Sequence, residues 1–314
     1  LLTADPAVDE WREYRYFGDG AQTFKSTQPT LELWIPLLFW FKDLQTALPN
    51  FHIPHGQIQV EMDLESESNL VAYANYSGNP GTIYTAPVIS DCALYSNHIY
   101  LNPTINDILA LRTKFQLIRI NRTQKVFNVT KASDSIRLHD LKFPIETMYV
   151  AFRPTANNTN SQKWHRNTVL TDTNVKQAVV TGVATIQVNE ATYFKEAPVV
   201  SKLLLKTSDI VLYPEMLPTF YNRYMPYRYG PNLKTPKDLG WYMINFAMNP
   251  GEYQPSGHFN ASQDREMFLF YESAVNNSNQ PQIRAANPVD IYICAEVINF
   301  IFYEQNNAVL RFAT

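Results

Sequence analysis

The sequence predicts an all-β protein, an antiparallel sandwich or barrel, and three features predict it. Apolar residues mostly alternate with polar ones instead of recurring at helical spacing. Short apolar runs are separated by turn residues at brief intervals. The chain carries 20 prolines, which break long helices, against 10 glycines.

Taken in order, "LELWIPLLFW" (31–40) reads as a strand rich in aromatic and branched residues. "QIQVEMDLE" (57–65) alternates most cleanly. Ile58, Val60, Met62 and Leu64 share one face, and Gln57, Gln59, Glu61 and Asp63 the other, which predicts a half-buried strand. The series continues with "SNHIYL" (96–101), "FQLIRI" (115–120), "ETMYVAF" (146–152), "ATIQV" (184–188) and "DIVLY" (209–213). It ends with "WYMINFAM" (241–248), "EMFLFY" (266–271), "DIYICAEVINFIFY" (290–303) and "AVLRFA" (308–313). The last two are read as a hairpin about Asn306 and Asn307, since Asn tolerates the positive φ of a tight turn.

Helices are few. "PTINDILALRT" (103–113) is the best: Pro103 and Thr104 start it, Asp107 stands where a capping box needs it, and Ile105, Ile108 and Leu109 share a face. A short helix between strand-rich halves marks a boundary, dividing the chain into residues 1–107 and 108–314. "DTNVKQAVV" (172–180) is read as a further helical turn or two, and Arg153–Thr168 as a long exposed loop.

Composition narrows the function. Charged residues are only 18%, and Tyr, Asn, Thr and Ser stand in their place, so neighbours are expected to cover much of the surface. A net charge of −3 gives no basic footprint for nucleic acid. The longest apolar run, Leu33–Phe41, is too short for a membrane span and contains Pro36. No signal peptide opens the chain, and a first residue that is not Met suggests a start within a longer product. Cys92 and Cys294 sit in apolar segments and are read as free, buried thiols in a reducing compartment.

Each chemical motif has a plainer reading. His52 and His55 have H-x-x-H spacing, but Pro54 and strand-like surroundings favour a turn over a zinc pair. Ser256 lies between Pro255 and Gly257, not in a nucleophile elbow, and His258 follows too closely to serve as its base. Asp264, Arg265 and Glu266 read as local ion pairs at a strand start. Pro250, Pro255 and Gly257 therefore mark a structural turn, after which a strand resumes at Glu266. The run Tyr221, Arg223, Tyr224, Tyr227, Arg228 and Tyr229 could stack on single-stranded nucleic acid, but Tyr and Arg also dominate protein interfaces, which an acidic chain favours. Sequons at Asn75, Asn121, Asn128, Asn157, Asn260 and Asn276 are expected chance matches in an Asn-rich chain. No catalytic residue, cofactor or metal site is expected.

The stretch "WYMINFAMNPGEYQPSGHFNASQDREMFLFY" resembles the strand–turn–strand signature of the major capsid proteins of the large nucleocytoplasmic DNA viruses. The matching positions are Phe246, Ala247, Asn249, Pro250, Gln254, Pro255, Ser256, Gly257, Asn260 and Ser262. The closing "AEVINFIFYEQNNAVLRFAT" resembles that family's final hairpin. Both are nearest in form to the branch of African swine fever virus and faustovirus. Residues 31–64 resemble the late strands of the family's first jelly roll, and 138–154 the opening of its second.

The resemblance implies a viral double jelly-roll fold, with residues 1–107 the end of the first roll and 108–314 the second. It implies a homotrimer forming a pseudo-hexameric capsomer of an icosahedral shell, assembled in the host cytoplasm. Expected partners are neighbouring capsomers, minor capsid proteins and the missing N-terminal part of the same protein. Tyr221–Tyr229 and Thr155–Thr168 are the candidate interface segments. A transient double jelly-roll scaffold and a carbohydrate-binding jelly roll are the rival readings.

Overall fold

The structure, a computed structural model, describes residues 46–53, 58–64, 88–111, 114–158, 166–181, 185–208, 210–229, 238–263, 266–304 and 307–312, with separate positions between 30 and 41. For residues 170–181 and 185–195 it describes the backbone alone.

Among the described residues, twelve strands run from Lys114 onward. They are β1 (Lys114–Val129), β2 (Ser133–Arg137), β3 (Pro144–Pro154), β4 (Thr168–Thr181), β5 (Thr185–Pro198) and β6 (Val200–Thr207). Then come β7 (Ile210–Met216), β8 (Trp241–Asn245), β9 (Phe259–Asn260), β10 (Met267–Ser273), β11 (Val289–Glu304) and β12 (Asn307–Leu310). One sheet runs β1-β11-β3-β8, with β12 on β11 and β9 on β3; a second runs β2-β10-β6-β7. Set aside β4, β5, β9 and β12, and eight strands remain. In chain order their sheets read first–eighth–third–sixth and second–seventh–fourth–fifth, the interleaving of a jelly roll. The β4–β5 ribbon, paired throughout from Thr168↔Pro198 to Thr181↔Thr185, is inserted between the third and fourth of these strands.

The core lies between the two sheets. Strand β3 contributes Ile145, Met148, Val150 and Phe152, and β8 contributes Tyr242 and Ile244, all fully buried. Strand β6 answers with Leu203 and Leu205, and β10 with Met267, Leu269 and Tyr271. Phe152 meets Tyr271 across the sandwich with ring centroids 5.4 Å apart. Each such aliphatic or aromatic burial contributes about 1.5–3 kcal/mol. Pro214 sits in β7, an edge strand, where its missing N–H breaks no inner ladder.

The described residues fall into two compact units. One holds Asn121–Glu296; the other holds the described residues up to Ile120 together with Val297–Thr314.

Several expectations change. Residues 34–37, 58–64 and 96–101 form no strand. Ile58, Val60, Met62 and Leu64 are exposed, and so are Gln59, Glu61 and Asp63 on the alternate face. Alternation marks a face fit for burial, but a strand also needs a ladder partner. Residues 172–180 lie in β4, not in a helix. The helix α1 (Pro103–Ala110) is present, but Asn102 caps it: its Oδ1 accepts from the Thr104 N–H at 3.1 Å. Asn307 opens β12 opposite Glu304, so it is a strand residue of the hairpin; Asn306 lies outside the described residues. Cys92 and Cys294 are free, but Cys92 is exposed and Cys294 half-buried, where burial pushes its thiol pKa up.

Candidate assembly surface

The signature stretch is a corner that carries the chain from one sheet to the other. It leaves β8, bends at Pro250 and Gly251 (φ +84°), adds β9 against Pro144 and Ile145, and enters the opposite sheet as β10 at Met267. The strand expected to resume at Glu266 is thus preceded by a two-residue strand on the first sheet. Gly257 passes so close to β8's end that a Cβ there would lie 3.0 Å from the Phe246 carbonyl oxygen. Pro250 is buried and Pro255 half-buried at the two sides of the bend.

Polar side chains pin this corner. The Ser256 hydroxyl accepts from the Asn249 N–H at 2.7 Å, a structural use of the serine. Asn260 Oδ1 accepts from the Ser262 N–H at 3.1 Å, and Ser262 Oγ accepts from the Phe143 N–H at 3.0 Å. The Phe143 carbonyl in turn accepts from the Ala261 N–H at 3.1 Å. Phe143 has φ +100°, unfavourable for an L side chain, and the Arg122 guanidinium lies 4.6 Å from its ring centroid. His258 is exposed; Asp264 and Arg265 lie outside the described residues.

The tyrosine-rich run is helical: a π-turn at Phe220–Tyr224 continues into a helical turn at Met225–Tyr229. It has two faces. Tyr221 is fully buried, and its hydroxyl lies 3.2 Å from the carbonyls of both Leu203 and Pro214, so it anchors the segment and is no surface residue. Burial holds its phenol pKa well above the usual range. Asn222 Nδ2 donates to the carbonyls of Asp238 (3.1 Å) and Trp241 (2.8 Å), tying the segment to the start of β8. Arg223, Tyr224, Tyr227 and Arg228 face outward, Tyr227 at 84% exposure; Tyr229 is half-buried under Arg228.

Arg153–Thr168 is only partly the open loop expected. Thr155–Asn158 forms a helical turn held by the buried Asp290. The Asp290 carboxylate accepts from the Asn128 N–H (2.8 Å), the Thr155 hydroxyl (3.0 Å) and the Asn158 amide. Asp238 Oδ2 accepts from the Asn167 N–H and side-chain amide, both at 2.8 Å, and its Oδ1 from the Gly240 N–H. Sequence reasoning missed both carboxylates. The signal for Asp290 was an acid at the head of the long apolar run "VDIYICAEV".

His52 is buried in a 3₁₀ turn (Asn50–His52), and His55 lies outside the described residues. Among the described residues no cluster of His, Cys, Asp and Glu could hold a metal ion. No helix is long and apolar enough to cross a membrane among them.

A further set of exposed apolar side chains lies among the described residues between 34 and 115. Trp34, Ile35, Ile58, Met62, Leu64, Val88, Tyr95 and Tyr100 are each at least half exposed. Most of the large apolar side chains exposed among the described residues fall in this segment.

The family model for large eukaryotic DNA virus major capsid proteins matches residues 107–314. The chain belongs to that family. Over its whole length it is 30% identical to the hexon protein p72, or major capsid protein, of African swine fever virus. It spans about half the length of these curated relatives, 54%. The faustovirus major capsid protein is similar in structure, with a TM-score of 0.53 and 31% identity over 64% of this chain and 36% of that one. The capsid protein of PBCV-1 shares the fold at a TM-score of 0.51 and 18% identity, over 68% of this chain and 55% of that one. The fold is therefore the viral double jelly-roll class of these capsid proteins, and the roll traced after Lys114 falls within the matched region.

Proposed function

We propose that this chain is the C-terminal portion of a major capsid protein, with a role in assembly and not in catalysis. Three copies would form a pseudo-hexameric capsomer, and capsomers would tile an icosahedral shell with neighbouring capsomers and minor capsid proteins. Assembly would take place in the host cytoplasm. Residues 1–107 belong to the end of the first roll and 108–314 to the second on this reading.

The observation that carries it is the interleaved eight-strand sandwich within a family match. Such a sandwich is rigid, gathers its connections at its ends, and lets many modest contacts add up over a lattice. The exposed apolar side chains of residues 34–115 fit a surface that the N-terminal part of the same protein covers, since large bare apolar patches are unusual on a free-standing protein. Arg223, Tyr224, Tyr227 and Arg228 supply a second contact patch, presented outward by Tyr221 and Asn222.

Co-expression with the N-terminal part, followed by electron microscopy of the purified complex, tests this. Three-fold particles with a pseudo-hexagonal outline are expected. Single copies that never associate would overturn it. Detection in mature particles would separate a shell protein from a transient scaffold, and glycan-array binding would favour the carbohydrate reading.

A further inference from the structure

We propose that His52 is an acid-sensitive clamp: protonation of its Nδ1 releases residues 46–53 from α1, β1 and the end of β11. The imidazole is 1% exposed. It lies against the Tyr303 ring of β11, centroids 5.7 Å apart, and beside Phe51 at 4.6 Å. Its hydrogen bond to the Leu109 backbone on α1 is made by the other ring nitrogen, because Nδ1 has no partner among the described residues. That bond fixes Nε2 as the protonated nitrogen and leaves Nδ1 as a buried, bare lone pair.

The same segment is held from a second side. Gln116 on β1 donates through Nε2 to the Thr46 carbonyl at 2.9 Å and accepts from the Tyr303 hydroxyl at 3.2 Å. One buried histidine, one glutamine and one tyrosine thus join the turn to both strands. A proton on Nδ1 would create a buried donor with no acceptor among the described residues and a buried charge near the like-charged Lys114 ammonium. The groups that bear on the ring are the Leu109 carbonyl from α1, the Lys114 ammonium from β1 and the Tyr303 phenol from β11. Lys114 opposes protonation, and burial keeps the Tyr303 phenol neutral with a pKa of about 12. Burial, first, and then Lys114 hold the imidazole below its ordinary value of 6.5, against the opposing pull of the Leu109 carbonyl.

The sign follows. The unfolded segment takes up its proton near 6.5, while the clamped one resists until lower pH. The clamp's stability is complete above that value and is lost as pH falls from 6.5 towards the depressed folded value.

Hydrogen exchange by mass spectrometry on the full chain, corrected for the intrinsic pH dependence of exchange, tests this alongside His52→Phe, which keeps an aromatic ring and removes the titration. In the unmodified chain, peptides covering 46–53, α1 and the end of β11 should lose protection severalfold on acidification; in His52→Phe they should not. Equal loss in both chains, or none in either, would overturn the clamp. If His52→Phe fails to fold, exchange of the His52 ring C2 proton against pH in the unmodified chain decides. A midpoint below 6.5 supports the clamp, and one at or above it sinks the idea.

Discussion

At the residue scale, a few polar groups hold shapes that apolar burial alone would not specify. Ser262 is exposed, yet its hydroxyl satisfies the N–H of Phe143, whose positive φ is costly. Ser262→Ala should lower stability by about 1–2 kcal/mol, read as a drop in the denaturation midpoint, whereas Ser262→Thr should largely preserve it. Gly240 packs so tightly that a Cβ there would lie 2.0 Å from the Asn167 carbonyl oxygen. Gly240→Ala must displace that backbone and with it the Asp238 contacts, so a loss of about 2–4 kcal/mol is expected, measured by urea unfolding. Asp290 serves three donors from two segments, the end of β1 and the helical turn Thr155–Asn158; Asp290→Ala leaves them unsatisfied and should cost about 2–4 kcal/mol.

At the element scale, the helical segment 220–229 separates anchoring from contact. Tyr221→Ala removes a fully buried ring and should destabilise the fold by about 3–5 kcal/mol. The pair Tyr224→Ala and Tyr227→Ala should leave the thermal midpoint almost unchanged and weaken oligomers, read by sedimentation; unchanged oligomers would remove this patch from the interface. The strands after Lys114 were largely legible, because β3, β8, β10 and β11 carry dense apolar or alternating runs that tertiary pairing then satisfied. Strand β6 was hidden by consecutive leucines between lysines, and β2, "SDSIR", is too polar for its pattern to show. Residues 58–64 have an ideal alternation without a strand, since periodicity reports a face and not the presence of a partner. The anchors Tyr221 and Asn222 were indistinguishable in sequence from the outward Tyr224 and Tyr227, because the π-turn that sorts them leaves no composition signal.

At the scale of the whole molecule, the sandwich following Lys114 buries its core between two sheets, and most of the exposed large apolar side chains among the described residues lie before it. Such an imbalance makes association through residues 34–115 the central claim. The most direct measurement is native mass by light scattering, on the 36.1 kDa chain alone and on the chain co-purified with the N-terminal part proposed above. The account predicts a trimer of the joined species, with concentration-dependent aggregates when the chain is alone. A monomeric joined species, or a chain that stays monomeric by itself at high concentration, would contradict it.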